Sequence, residues 1–495
     1  MRAGASLRWA GVFVGGLAVA IAISARADEP AQTPWPGGEA PDEPTFARWV
    51  DEAVELGARE AADEAVAAVE PAEGREALAV SQERLDQGGD INDILFRLGD
   101  SIFSHEFDRA DGFGAGASGK LRRIHTGVRG GLDSHACSSC HSVGGVDGAG
   151  SETQRAFVEG DGVRESSALA RNAPQVIGGG IVQALALEMT RELAASRDVA
   201  LLQAKTTGAP VTVALKAKGV SFGALTADPG GSLDTTRVEG VSTDLIVRPF
   251  GWKGNVATLR RFAEDAARVH FGIQSTVIAA SQEKNPDVIR FGPGPGADPD
   301  NDGVVRELEE GALSAMAIYM AMLESPAVRV PFDLGLRERW ARGSATFDAV
   351  ACATCHTREL TLLGVSWREL PDTTGGPGNL VYIMAEGDQP KSSANVRLFS
   401  DLKRHDMGPE LADRHVSADG IPTSVFLTRP LWGLADTAPY LHDGRAPSLP
   451  EAIVAHGGEA TASRDAYLAL SADGKADLHV FLLSLSRAQR LRMAR

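Results

Sequence analysis

The chain has 495 residues, 43% of them hydrophobic, which is enough to bury more than one core without disulfide staples. Its formal charge of −17 at pH 7 disfavours nucleic acid and anionic lipid as partners and leaves soluble, neutral or cationic ones.

At the start, Arg2 precedes an uncharged apolar run from Trp9 to Ile23, followed by Ala25-Arg26-Ala27, a small-x-small pattern. Residues 1–27 therefore read as an export signal, expected to be removed so that the mature chain works in the periplasm with no stable membrane span. The alternative is a retained anchor, but the run is shorter than the ~20 residues that cross a bilayer. Three arginines leave with the signal, so the mature charge becomes −20.

Residues 28–94 read as a linker and helical extension. Glu29 to Pro44 is Pro-rich without apolar period, and Phe46 to Gln87 is rich in Ala and Glu, with a break expected at Pro71 and Gly74. Residues 95–333 and 334–495 are expected to form one domain each, because each half carries one copy of the motif described below. Within the first, Val211 to Val247 alternates apolar with polar residues and is rich in Val and Thr, which predicts a strand-containing insertion over about 185–247. Near the end, Leu478, Phe481, Leu482 and Leu485 follow the spacing of one buried helical face.

All four cysteines lie in two Cys-x-x-Cys-His segments, Cys137 and Cys140 with His141, and Cys352 and Cys355 with His356. Such a segment sets two thiols within reach of the two vinyl groups of a haem while the adjacent imidazole faces the iron. Two covalently bound c-type haems are the expected cofactors. The competing reading is one zinc ion on four thiolates; the wide separation of the pairs, the His directly after each and the export signal favour haem. Function then depends on the far side of each iron. Two strong ligands make an electron carrier, whereas an open or labile position can bind and cleave a peroxide.

Further on, Asp298-Pro299-Asp300-Asn301-Asp302-Gly303 followed by Glu309 has the acid and glycine spacing of a calcium loop. The Gly-Pro run before it, Gly292 to Gly296, is no entering helix, so an Asp-rich turn capping a helix that starts near Val304 is an equal alternative.

The segment from Leu431 to Arg445, with Thr437-Ala438-Pro439-Tyr440-Leu441-His442-Asp443-Gly444 at its centre, resembles the Thr-x-Pro-Tyr-x-His-Asp-Gly motif of bacterial di-haem cytochrome c peroxidases. Together with Leu449 to Ala460 it looks most like their relatives, the di-haem oxidoreductases described as peroxidases or thiol oxidoreductases. The resemblance covers most of residues 100–490, patchily in the first half.

It implies a mainly α fold of two cytochrome c-like haem domains facing each other. In the peroxidases the residue fourteen past the motif His is a Met, the distal ligand of the electron-transferring haem. Here that residue is His456, which implies a bis-His haem of lower potential at His356. His405-Asp406-Met407-Gly408 resembles another family motif and ranks second, as a haem-edge or propionate contact.

Pro249 to Leu259 is similar to the segment whose Trp lies between the two haems, which makes Trp252 a candidate electron relay or else a core residue. Val269-His270-Phe271-Gly272 falls where the family has a Val-Glu-Met-Gly run with an acid-base Glu. His270 would then serve as general acid and base, ligate the iron, or be a surface residue. The family's removable distal His falls on Phe157. Its interdomain calcium ligands fall on Asn172, Thr437 and Pro439. The activity so implied is reduction of a peroxide at the His141 haem, with electrons entering through the His356 haem from a small redox protein or cytochrome. The alternatives are a non-catalytic electron carrier and an oxidase of a thiol or protein side chain.

Overall fold

A computed structural model describes residues 75–80, 92–114, 134–141, 165–277, 302–323, 327–364, 393–417, 419–486 and short pieces between them, all within one unit, Asp63–Arg495. The expected export signal, the linker and most of the helical extension lie outside the described residues.

Two crossed helix pairs organise the chain, one for each Cys-x-x-Cys-His segment. In the first, α1 (Asn92–Ser104) buries Leu95, Leu98 and Ile102, one face of a 3.6-residue period. It lies on α4 (Glu310–Met322), which is buried on every side from Glu310 to Ala321 and so serves as a central core helix. The close approach depends on Gly99, where a Cβ would run into the Ala315 backbone and the Tyr319 side chain.

The second pair repeats the device. Helix α5 (Leu334–Ala349) is capped by Asp333, which accepts from Leu336 N at 2.8 Å. It crosses α6 (Ala472–Leu482), capped by Ser471, with Gly343 against the Asp477 backbone and Phe481. Arg339 and Arg342 of α5 hold the Asp477 carboxylate at 2.8 and 2.7 Å. Each motif follows the first helix of its pair: Cys137–Cys140 forms one helical turn after α1, and Cys352–Thr354 a 3₁₀ turn after α5.

Between the two helices of the first pair in sequence, α2 (Gly179–Thr207) runs between left-handed Gly178 and Gly208. It begins ahead of the expected insertion boundary at 185. The expected strands follow as an antiparallel sheet of Val211–Ala217, Val220–Ala227 and Leu233–Asp234, which buries Leu215, Ala217, Phe222, Leu225 and Ala227. Helix α3 (Leu259–Ala266), capped by Thr258, packs on α4. The remaining sheets are short two-stranded pairs, among them Arg404–Asp406 with Val425–Leu427.

One core gathers α1, α2, α3 and α4 with Leu360, Leu362, Trp367, Val396, Leu398, Leu402 and Trp432. The second holds Phe347, Phe399, Leu449, Tyr467, Leu478, Phe481, Leu482 and Leu485. Residues on both sides of position 334 thus share the first core. Of the expected extension, Arg75–Leu78 is helical and docks through Ala77 and Leu78, whose carbonyl accepts from Glu309 N at 3.0 Å.

The terminal helix differs from expectation at one residue. Helix α6 ends at Leu482, and Leu485, though buried, lies in a two-residue strand paired with Ala327–Val328. Bonds from Leu483 N and Ser484 N back to His479 and Phe481 close the helix first, so Leu485 reaches the core from a strand. Among the described residues no helix is long and apolar enough to cross a membrane.

Candidate active site

At the first motif, the helical turn brings His141 N to the Cys137 carbonyl at 3.0 Å and the imidazole to 5.8 Å from the Phe103 ring of α1. Burial pushes the His141 pKa down to about 4, and the charge of His270 is the next cause. The Pro174 carbonyl opposes them by facing the ring, yet Nδ1 lacks a partner within hydrogen-bonding geometry. His270 sits in a π-helical turn, Ala267–Phe271, that continues α3. Such turns widen a helix locally and recur where a side chain must be aimed at a functional site. This one is anchored by Gly114 N donating to Phe271 O at 2.9 Å and by Gly272, whose φ of 80° and contact with the Gly114 backbone admit no side chain.

At the second motif, His356 Nδ1 donates to the Phe399 carbonyl at 3.0 Å. A carbonyl can only accept, so this bond sets the tautomer and leaves Nε2 as the nitrogen that could hold a metal. The segment carrying Phe399 is tied along the motif by Phe399 N to Arg358 O, Ser400 N to Thr357 O and Asp401 N to Cys355 O, at 3.2, 3.0 and 2.9 Å. His456 is oriented in the same way, its Nδ1 donating to Ala452 O at 2.7 Å. Burial pushes His356 down to about 4, and His456 is the next cause. His456 itself is lowered by burial.

These donor sets fit haem better than zinc. The four thiols form no disulfide. Burial pushes the Cys137 thiol up to about 12 and Cys352 to about 11, so neither is poised as a thiolate. Among the described residues the one metal-sized group of His, Cys and carboxylate atoms is Cys355, Asp401 and His405, so the pairs do not meet as four thiolates.

In that group His405 is clamped rather than offered as a ligand. Its Nε2 lies 2.9 Å from Asp401 Oδ2, its Nδ1 lies 2.7 Å from Glu459 Oε2, and Cys355 Sγ is 3.9 Å away. Burial works against its charge, but the Asp401, Cys355 and Glu459 contacts raise it to about 11, so it is an imidazolium.

Trp252 donates from Nε1 to Asn172 O at 2.7 Å, and its ring lies 5.6 Å from the Arg429 guanidinium. Asn172 in turn donates from its side chain to Pro439 O at 2.6 Å and from its backbone to His442 O at 2.7 Å. Asn172 and Pro439 of the calcium set implied by resemblance are therefore brought together, with the Pro439 oxygen engaged by the amide. Thr437 closes the turn Leu434–Asp436 just before the cis Ala438–Pro439 bond. His442 is buried, stacks on Phe426 at 4.2 Å and is pushed down to about 4 by burial.

In the Asp-rich loop, Asp300 lies outside the described residues. Asp298 accepts from the Asp302 and Gly303 amides, both at 3.1 Å, Asp302 accepts from Val304 N at 2.7 Å, and Glu309 pairs with Arg306. Those carboxylates are engaged by backbone and arginine, as in a capping turn, and do not form a common metal-sized group. Phe157 lies in the strand Ala156–Val158.

Sequence reasoning missed a buried charge network beside Trp252. Asp413 accepts from Arg171 at 2.7 and 2.8 Å and lies 3.0 Å from Lys253 Nζ, which also donates to the Pro422, Thr423 and Val425 carbonyls. Burial would raise the Asp413 pKa, but Arg171 and Lys253 hold it below its ordinary value. A lone Asp far from any motif gives no signal for this. Lys253, next to Trp252, was the nearest cue.

The family model described as "Di-haem oxidoreductase, putative peroxidase" matches residues 239–485, a span that includes Trp252, His270, His405, the second haem motif and His456. Hydrazine synthase from Kuenenia stuttgartiensis is 17% identical with a TM-score of 0.36, over 84% of this chain and 95% of that one. A MauG-like protein associated with microbial copper homeostasis is 16% identical with a TM-score of 0.30, over 84% and 93%. The dihaem peroxidase BthA from Burkholderia thailandensis E264 is 17% identical with a TM-score of 0.27, over 48% and 66%. All three scores are too low to establish a common fold. No curated protein sequence matches the chain. With the match to residues 239–485 falling on the residues assembled above, the chain belongs to the di-haem oxidoreductase family.

Proposed function

We propose that this is a periplasmic di-haem c-type cytochrome that reduces a peroxide at the His141 haem with electrons received at the His356 haem. The observation that carries the reading is that each motif histidine lies within electrostatic reach of a second, half-buried histidine, His141 of His270 and His356 of His456. The repeated packed helix pair, one for each motif, supports two cytochrome c-like units, with the first core also drawing on residues past 334.

Bound covalently through the four cysteines, haem would supply the iron that activates the peroxide and the conjugated ring through which electrons pass. The chain supplies the rest. His141 and His356 would hold the two haem irons, and His456 would join His356 in holding the second, which suits that site to electron transfer. His270 takes a proton from the peroxide and returns it to the leaving oxygen. Two electrons and two protons then balance H2O2 to two waters. Trp252, bonded to the Asn172 carbonyl, connects the 172–174 segment beside His141 with the 425–442 region and serves as relay. The electron donor is a small soluble redox protein of neutral or cationic surface, as the net negative charge favours.

Low-temperature EPR of the oxidised and half-reduced holoprotein, before and after peroxide, tests this. One high-spin ferric signal that peroxide converts, beside one low-spin signal, is the expected result. Two low-spin signals unchanged by peroxide would make the protein an electron carrier, an outcome that direct ligation by His270 would produce. Turnover of a thiol or protein side chain in place of peroxide would make it an oxidase.

A further inference from the structure

The segment His405–Gly408 has both His405 nitrogens engaged by carboxylates, and it grips the loop that carries His456. Gly457 and Gly458, which follow His456, press against this segment backbone to backbone. A Cβ on Gly458 would run into Asp406 O, and one on Gly457 would lie 2.9 Å from Met407 O. Gly458 has φ of 52°, and Gly408 opposite has φ of 81°. The side chains of Glu459, His405 and Asp401 complete the grip. Glu459 accepts from Asp406 N at 2.8 Å through one oxygen and meets His405 Nδ1 at 2.7 Å through the other. On its far side His405 meets Asp401, which is 2% exposed and whose backbone is bonded to Cys355 O at 2.9 Å. The same strip, at Phe399, accepts from His356 Nδ1.

An imidazole with a carboxylate on each nitrogen must donate at both, so the bridge is made of two charge-assisted hydrogen bonds. Its ends are the loop that carries His456 and the strip at 399–401 that is bonded along the segment carrying His356.

The geometry points to His405 as a positioning residue: with Asp401 and Glu459 it clasps the His456 loop to the Cys352–His356 attachment segment and so keeps His456 on the iron. This rests on His456 being an axial ligand. Without the clasp, the short loop between Leu449–Val454 and Thr461–Leu468 is held by backbone packing alone, and His456 leaves and returns more readily.

The test uses the purified holoprotein, with Glu459→Gln as the first variant because the Glu459 side chain is 55% exposed and its loss leaves no buried hole. His405→Gln is the second. Carbon monoxide binds a ferrous haem only where the sixth position opens, so its binding rate at the His356 haem reports the departure of His456. Losing one charge-assisted bond corresponds to about a tenfold faster rate. The rate at the His141 haem should not change, and Glu459→Asp, which keeps the charge, should recover part of the slow rate. Unchanged rates and EPR spectra in both variants, alongside a fast rate in His456→Ala, would overturn the clasp while leaving His456 as ligand. If His456→Ala itself leaves the spectrum and rate of the His356 haem untouched, the ligand assignment fails and the clasp with it.

Discussion

The Trp252 indole donates to the Asn172 backbone carbonyl at 2.7 Å, two residues before the Pro174 carbonyl that faces His141. The Asn172 side chain and backbone amide bind Pro439 O and His442 O, so one buried asparagine ties the relay candidate, the first haem motif and the Thr-x-Pro-Tyr segment together.

Replacing Trp252 by Phe keeps an aromatic ring but removes the indole N–H that donates to that carbonyl. Leaving a buried carbonyl unpaired costs about 1–3 kcal/mol, so chemical denaturation should show a loss of that size. Electron equilibration after one-electron reduction of the His356 haem should slow as well, followed by stopped-flow absorbance. A loss of stability with equilibration unchanged would make Trp252 a core residue and nothing more.

Asp413 neutralises two buried cations, Arg171 and Lys253. Asp413→Asn removes the carboxylate that both cations share, and breaking a buried pair from one side costs about 3–5 kcal/mol. Because the folded pKa of Asp413 lies below its unfolded value, its contribution is complete above the ordinary carboxylate range, near pH 4, and is lost as pH falls through the lower folded value. Stability measured against pH should therefore fall on the acid side in the wild type, with a shallower fall in Asp413→Asn.

The residues that sequence made legible are those whose chemistry demands a local pattern. Cys137 to His141 and Cys352 to His356 announce themselves because thioether attachment needs that spacing, and His456 stood out as a departure from a long motif. Partners brought in by tertiary contact leave no such trace. Phe399 acts through its carbonyl, which any residue could supply, and Asp401 and Glu459 become meaningful only once His405 lies between them. The strands of 211–227 were visible as alternation, whereas α2 ran past the expected boundary because Leu185, Ala186 and Met189 continue the buried face begun at Ile181. Leu485 kept the spacing of a helical face yet reached the core from a strand, since burial alone does not specify the element that delivers it.

Gly343 and Gly99 make opposing expectations. Helix propensity alone says that Gly→Ala inside a helix stabilises by about 1 kcal/mol. Here the new methyl would meet the backbone at Asp477 or at Ala315, which cannot yield as a side-chain end can. Overpacking of this kind costs about 1–3 kcal/mol and should win, so both Gly343→Ala and Gly99→Ala should lower the denaturation midpoint. A rise would mean that the helices separate freely.

Met in place of His456 restores the donor that the peroxidases carry at this position. A thioether is the weaker donor to ferric iron, so the reduction potential of the His356 haem should move upward in a potentiometric titration, and its low-spin EPR g values should change. The same titration should leave the His141 haem unmoved. Identical potentials in wild type and His456→Met would remove His456 from the coordination sphere.

His270 separates two roles by the sign of its effect. As an acid and base it transfers the proton between the two peroxide oxygens, and its loss in His270→Ala should lower the rate of peroxide reduction by about 10²- to 10⁴-fold without changing the spin state of the resting His141 haem. As an axial ligand it would block the peroxide instead, so the same substitution would convert that haem from low spin to high spin and make it react faster. Resting EPR and the rate of peroxide consumption, measured on one preparation, distinguish the two. The π-helical turn favours the first, because it holds His270 through the Gly114–Phe271 bond on a backbone already fixed before any peroxide arrives.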